Sequence, residues 1–237
     1  MRLRLTLLTL IVIAFFISAC ASRGTTPARQ PGGIQPSQVI KSDIDRVTEA
    51  HHREIFANLR TLTEKLYRRN PREFAKSGQE TVDAAVARIF EVDHGWGFAQ
   101  LRNTRGTQAI HLAFRDDFAG DRVLAYVAGL GSMLQTAFHD KTEFFMLDDL
   151  NAQGLYNAAR NVEIAIWKLS NARDKQGNLI LLSNEGSGPV INLSFEREFG
   201  KMIGSLDILS KIASDKTNRT VVKVIQSAAT AIFLPVR

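Results

Sequence analysis

From residue 42 onward, apolar side chains return at steps of three and four residues, and this rhythm constrains the fold more than anything else in the chain. Ile44, Val47, His51, Ile55, Leu59, Leu62 and Leu66 fall on one stripe of a helix over 42–69. Ser42 with Asp45 supplies its N-cap, a carboxylate standing where Glu or Gln is usual. Asn70-Pro71 ends it, because the residue before proline avoids the helical conformation. A second helix is expected from the capping-box spacing of Ser77-Gly78-Gln79-Glu80, with Val82, Val86, Ile89 and Phe90 on its stripe and a stop near Asp93-His94-Gly95. Trp96 to Phe118 carries two patterns: Ile110, Leu112 and Phe114 alternate like a strand, while Ile110, Ala113 and Phe114 fit a short helix, which is the preferred reading. Asp121 to His139 reads as the central helix. Val123, Val127, Leu130, Met133, Leu134, Ala137 and Phe138 cover one broad face, and Ala125, Ala128, Gly129 and Ser132 make the other side small. Gly129 and Gly131 each cost about 1 kcal/mol against Ala in a helix interior, a cost that close backbone approach would justify.

Asn151 caps a further helix to about Ala172, with Leu155, Ala158, Ala159, Val162, Ile166 and Leu169 on its stripe. Two more helices are expected to close the chain, one carrying Phe195, Phe199, Met202, Ile203, Leu206 and Leu209. The other is read from Val221, Val222, Ile225, Ala228 and Ile232, with Ser214 as its cap and Pro235 beyond its end. The expected architecture is all-α: a single bundle-like domain of five to six helices, with a short β-hairpin or ordered loop around 179–192.

The first forty residues do not share this rhythm. Arg2 and Arg4 precede an uncharged run from Leu5 to Ala19, shorter than the ~18 or more apolar residues a membrane span needs. The run ends in Ile17-Ser18-Ala19-Cys20, which holds the only cysteine of the chain and resembles the lipobox of bacterial lipoproteins. That resemblance implies a signal peptide over 1–19, cleavage before Cys20 and a covalent lipid on its thiol. Residues 21–41 hold Pro27, Pro31, Pro36, Gly24, Gly32 and Gly33 with almost nothing to bury, the composition of a flexible linker. The domain organisation is therefore 1–19 signal peptide, 20–41 lipidated cysteine and linker, 42–237 helical domain facing the periplasm. In Gram-negative lipoproteins, which this stretch resembles, Asp after the cysteine marks inner-membrane retention; with Ala21 there, the resemblance implies the inner leaflet of the outer membrane.

Charge narrows the partners. The formal charge of +6 rests on 30 basic and 24 acidic residues, but five of the basic ones (Arg2, Arg4, Arg23, Arg29, Lys41) precede residue 42. The domain is left close to neutral, without the basic footprint that a phosphate backbone requires, so no nucleic-acid partner is expected. With Cys20 acylated no thiol remains, which excludes disulfides, thiolate nucleophiles and cysteine-ligated metals in the domain.

Chemistry-bearing patterns are few. Glu49-Ala50-His51-His52 and Glu91-Val92-Asp93-His94 each hold Glu-x-x-His, the motif that di-iron helical bundles use twice. Glu49 points about 130° away from the apolar stripe at 100° per residue, and both motifs are short, so Glu49, His52, Glu91 and His94 are weak metal candidates. His51 is read as a hydrogen-bonded histidine on the packed face. His139 and Glu143, at helical i, i+4 spacing, form a second weak candidate, read more simply as a polar helix end. No metal and no cofactor is expected beyond the lipid on Cys20. The signatures Gly-x-Ser-x-Gly, Gly-rich phosphate loop and His-Glu-x-x-His do not occur.

The remaining candidates are contact surfaces. Phe144-Phe145-Met146-Leu147 is an apolar run between helices, and the 179–192 segment is a long loop; Phe144, Phe145, Leu181, Leu182 and Pro189 are the residues first expected to bind a partner. The leading expectation is a non-enzymatic, lipid-anchored interaction or scaffold domain that meets an envelope protein or lipid. The alternatives are an enzyme with a metal or other site assembled between helices, and a carrier of lipid or another apolar ligand.

Overall fold

The computed structural model describes residues 41–145, 148–184, 193–218, 220–224 and 231–236. The chain divides into two compact units, 1–38 and 39–237, and every described residue belongs to the second. Its elements are α1 Asp43–Arg69, α2 Pro71–Ala75, α3 Val82–Phe90, a 3₁₀ turn Ala99–Leu101, α4 Gly106–Ala113, α5 Arg122–Ala137, α6 Ala152–Asn171 and α7 Ser194–Thr217. The fold is all-α, with no strand among the described residues.

α5 is the axis of the packing. Every residue from Val123 to Leu134 is buried, including Gly129, Gly131 and Ser132. α4 lies against one side of it, while α6 and α7 pack as a pair and α1 crosses onto α7. The small face of α5 is what admits α4. A methyl group built on Gly129 would stand 2.6 Å from the backbone nitrogen of Ile110 and 2.8 Å from the carbonyl of Gly106. Ser132 completes the contact, its hydroxyl accepting from the Gly106 N–H at 2.7 Å and donating to the Ala128 carbonyl.

The start of α5 is fixed by a buried polar cluster. Asp121 caps the helix by accepting from the Leu124 N–H at 2.9 Å and also accepts from the Tyr67 hydroxyl at 2.8 Å. Glu73, on the short α2, accepts from the Arg122 N–H at 2.8 Å and pairs with Lys76. α2 therefore exists to bring one carboxylate to the N-terminus of α5, where an acid complements the helix dipole.

Several expectations need correction. The α1 stripe holds from Ile55 to Leu66, but in the first turns Ile44 and Val47 are exposed while Asp45, Thr48 and His52 are buried. One residue is 100° of rotation, so a slightly rotated face here exchanges His51 for His52 as the packed histidine. α3 is capped by Thr81, whose hydroxyl accepts from the Ala84 N–H, and not by Ser77. Gly78 sits at φ 70°, so the chain turns there, and Ser77 accepts only from the Gln79 N–H within that turn.

The expected last helix is absent from the described residues. Ser214 lies inside α7, and Thr220–Val224 and 231–236 are non-helical. β-Branched Val221, Val222 and Val224 favour extended backbone. Among the described residues, the main chain of Val222, Val224, Leu234 and Pro235 bonds to side chains of α6. The Asn161 amide accepts from the Leu234 N–H at 2.6 Å and donates to its carbonyl at 2.7 Å, and Asn157 donates to the Pro235 carbonyl at 2.6 Å. The second arm of the expected 179–192 hairpin, residues 185–192, lies outside the described residues; the isolated antiparallel bridge of Leu179 is to Arg173, a pairing that the sequence did not suggest.

Two measurements check this packing. Gly129→Ala is expected to lower stability by about 3 kcal/mol in thermal or urea unfolding, since backbone rather than a yielding side chain meets the new methyl. Gly204→Ala on α7, where nothing lies within 4 Å, is expected to raise it by about 1 kcal/mol. Burial pushes the Asp121 carboxyl from 3.8 up to about 6, against the Leu124 N–H and Tyr67 hydroxyl that pull it down. The folded state then holds a proton that the unfolded state has released between those values, so this group's stabilisation is lost as pH rises through 6. Asp121→Asn, which can still cap, is expected to remove a decline of up to about 3 kcal/mol between pH 4 and 6 in urea titrations.

Candidate functional site

The most developed concave surface with aromatic walls lies where α1, α3 and the 94–97 turn meet the end of α5. It is an open groove of about 660 Å³ whose apolar walls are Phe56, Phe90 and Trp96. Glu91, Asp93, Arg105 and Asp140 form its rim. The Trp96 ring centroid is 5.8 Å from that of Phe56 and 5.6 Å from that of Phe90, the second pair edge to face. His52 extends the series inward, 4.6 Å from Phe56 and 4.8 Å from Phe138, which in turn meets Phe144 at 6.0 Å.

Trp96 is held in an unusual conformation. Its φ is 61°, in the left-handed region that a bulky residue avoids, and such strain persists only where its surroundings enforce it. Two contacts do so. The Trp96 N–H donates to His94 Nδ1 at 2.9 Å. The six-membered ring fills the space beside Gly131, where an added methyl would come within 2.2 Å of it. A glycine in the middle of the central helix is thus the socket for the residue that walls the groove.

The histidines have defined roles. His94 accepts from Trp96 at Nδ1, so its Nε2 carries the proton and donates to the Ile89 carbonyl at 2.9 Å. Both nitrogens are occupied, which leaves none to ligate a metal. His52 is 7 % exposed, and its Nε2 is buried without a hydrogen-bond partner. Burial pushes its pKa below the ordinary histidine value, against a smaller opposing pull from Gln135. A neutral imidazole among Phe56, Phe138 and Phe144 acts as an aromatic packing group. His139 and Asp140, both with φ near 57–58°, make the turn that ends α5.

The other sequence candidates are dispersed. Glu49 accepts from Lys41 at 2.5 Å and from the Phe144 N–H at 3.0 Å, so it fastens the 144 segment rather than pointing at solvent. Glu91 pairs with Arg60 at 2.7 Å, and Glu143 is exposed. Among the described residues no group of three or more metal-capable side chains forms. Phe144 and Leu181 are buried in the core, Phe144 in keeping with the usual burial of such an apolar run. Phe145 is half-buried beneath Lys41, whose ammonium lies 5.0 Å from the ring centre. Leu182 is exposed, with its main chain held by both ends of the Asn70 amide. Pro189 and Cys20 lie outside the described residues.

Sequence reading missed the groove because its walls come from three segments far apart in the chain. The one available signal was Gly131 itself, an interior helix glycine whose purpose is Trp96. Comparison with protein-family models, with curated proteins and with solved structures gives no match. What the geometry offers chemically is a flat aromatic surface with a mixed-charge rim, suited to holding an apolar or ring-bearing group.

Gly131→Ala is expected to expel the indole. In a Trp167→Phe background, where Trp96 is the sole tryptophan and is excited selectively over the tyrosines, its fluorescence should shift to the red and its quenching by iodide should rise, with a stability loss of about 2 kcal/mol. An unshifted spectrum would show that Trp96 does not occupy the Gly131 socket.

Proposed function

We propose that the chain is a lipid-anchored lipoprotein of the cell envelope, whose helical domain binds another envelope component and does not catalyse a reaction. The observation that carries this reading is Cys20. The only thiol of the chain stands at the end of an uncharged run behind Arg2 and Arg4, and a Pro- and Gly-containing stretch separates it from the capping box at Ser42. The first described helix is firmly capped there. Ser42 Oγ accepts from the Asp45 N–H, Asp45 accepts from the Ser42 N–H at 2.7 Å, and Lys41 is tied to Glu49.

In this reading the acyl chain lies in the inner leaflet of the outer membrane and the domain faces the periplasm. The near-neutral domain leaves attachment to the lipid, and the aromatic groove of Phe56, Phe90 and Trp96 is the surface for an apolar group of the partner. The same groove favours a second reading, carriage of a lipid or other apolar ligand, because its volume falls within the range of small-molecule sites. Native mass spectrometry of protein taken directly from membranes distinguishes the two by the presence of a bound small molecule.

Metabolic labelling with palmitate is expected to mark the wild-type protein and to leave Cys20→Ala unmarked, with the variant moving from the membrane to the soluble fraction while its helical circular dichroism is unchanged. An unlabelled wild type, or a variant that still sediments with membranes, overturns the anchor.

A further inference from the structure

A second groove, of about 760 Å³, runs between α6, α7 and the extended strap Thr220–Val224. The strap is held by side chains that grip its main chain. Gln153 accepts from the Val222 N–H at 2.8 Å and donates to the Val222 carbonyl at 3.1 Å. The Tyr156 hydroxyl accepts from the Val224 N–H at 3.2 Å and donates to its carbonyl at 3.3 Å. Both polar groups of residue 222 and both of residue 224 therefore point to one edge, which is the pattern of a β-strand. By the same alternation the N–H and C=O groups of Val221 and Lys223 point to the opposite edge. They have no hydrogen bond among the described residues, and Thr220, Val221 and Lys223 line the groove.

The geometry points to a peptide-docking edge: we infer that the strap receives an extended, acidic segment of a partner polypeptide, which pairs with the main chain of Val221 and Lys223 and lies in this groove. An unpaired strand edge is a template for a further strand, and main-chain bonds supply affinity in such complexes while side-chain surroundings supply selectivity. The surroundings set the charge. Arg160 on the groove wall is neutralised by both oxygens of Asp207, at 2.9 and 3.1 Å. Lys211 and Lys223 line the groove without an ion pair among the described residues, against the single carboxylate of Asp215. The surplus is positive. Val222 is 69 % exposed, so the strap itself places an apolar side chain outside the α6 contact, beside any added strand.

The strap is also anchored well enough to serve. The Gln153 amide donates to Asn157 Oδ1 at 2.8 Å, and Asn157 in turn donates to the Pro235 carbonyl. One amide relay on α6 thus fastens both passes of the C-terminal region. The inference rests on the reading of the domain as a binding module and is independent of the lipid anchor.

The test uses the whole protein and a fluorescein-labelled hexapeptide of alternating glutamate and valine, followed by fluorescence anisotropy. Saturable binding is expected. It should weaken at least about tenfold when alternate peptide nitrogens are methylated, because each methyl removes a donor to the strap edge. Val221→Pro removes a donor from the protein side and should give a similar loss; Lys211→Glu keeps the edge intact and should weaken the acidic peptide while strengthening a lysine–valine counterpart. Should Val221→Pro prove unfolded by circular dichroism, the peptide methylation and Lys211→Glu decide the matter. Absence of binding, or equal binding of the methylated peptide, overturns the pairing. Equal binding of the acidic and basic peptides overturns the stated partner chemistry. The palmitate experiment has no bearing on any of these outcomes.

Discussion

Close approach to the central helix is the constraint on which the rest of the domain depends. α5 meets its neighbours closely on two sides: the backbone of α4 at Gly129, and the Trp96 indole at Gly131. Interiors are packed like organic crystals, so a niche of one methyl group decides whether a neighbour can sit there. The helix tolerates two poor helix formers because tertiary contacts, rather than propensity, supply most of a buried helix's stability. Once α4 is seated, the chain from Trp96 to Phe118 has its course, and once Trp96 is seated, the aromatic groove has its wall.

Polar groups in this domain do structural work that apolar periodicity does not reveal. Tyr67 and Asp121 meet in the core, Glu73 stands at the start of α5, Asn70 holds the main chain of Leu182, and Asn157 and Asn161 hold the last described segment. Each of these is a buried side chain satisfied by main-chain or phenolic partners, the condition under which burial of an amide or carboxylate is tolerable. Irregular segments are thereby tied to helices at single residues, which lets the domain carry non-helical stretches with no strand among the described residues to receive them.

The sequence made the helices legible where apolar residues repeat over several turns. α1 beyond Ile55, α5, α6 and α7 follow their stripes, and the caps Ser42, Asp121 and Asn151 lie where local chemistry puts them. It failed where the deciding partner is distant. The choice between His51 and His52 depends on what covers the first turns of α1. Thr81 caps α3 because Gly78 turns the chain first, although Ser77 has the better local spacing. Residues 220–224 and 231–236 are non-helical, held by side-chain amides of α6, while Ile225 and Ala228 of the expected last helix lie outside the described residues. Of the candidate contact residues, Phe144 lies in an apolar run whose composition already favours burial, and the fold places both it and Leu181 in the core. The groove itself is non-local, built from α1, α3 and a turn, and no single window of sequence contains it.

The dependence of α6 on the C-terminal region has a consequence for biosynthesis. The amides of Asn157 and Asn161 are 6 % and 0 % exposed, and their partners are the main-chain groups of residues 234 and 235. Until those residues have been translated, α6 presents two polar side chains at a position that is dry in the finished domain, each lacking the bond that makes its burial tolerable. Maturation of this face is therefore a late event, and a nascent chain stalled shortly before residue 234 would be an incomplete substrate for folding, however many of its helices had already formed.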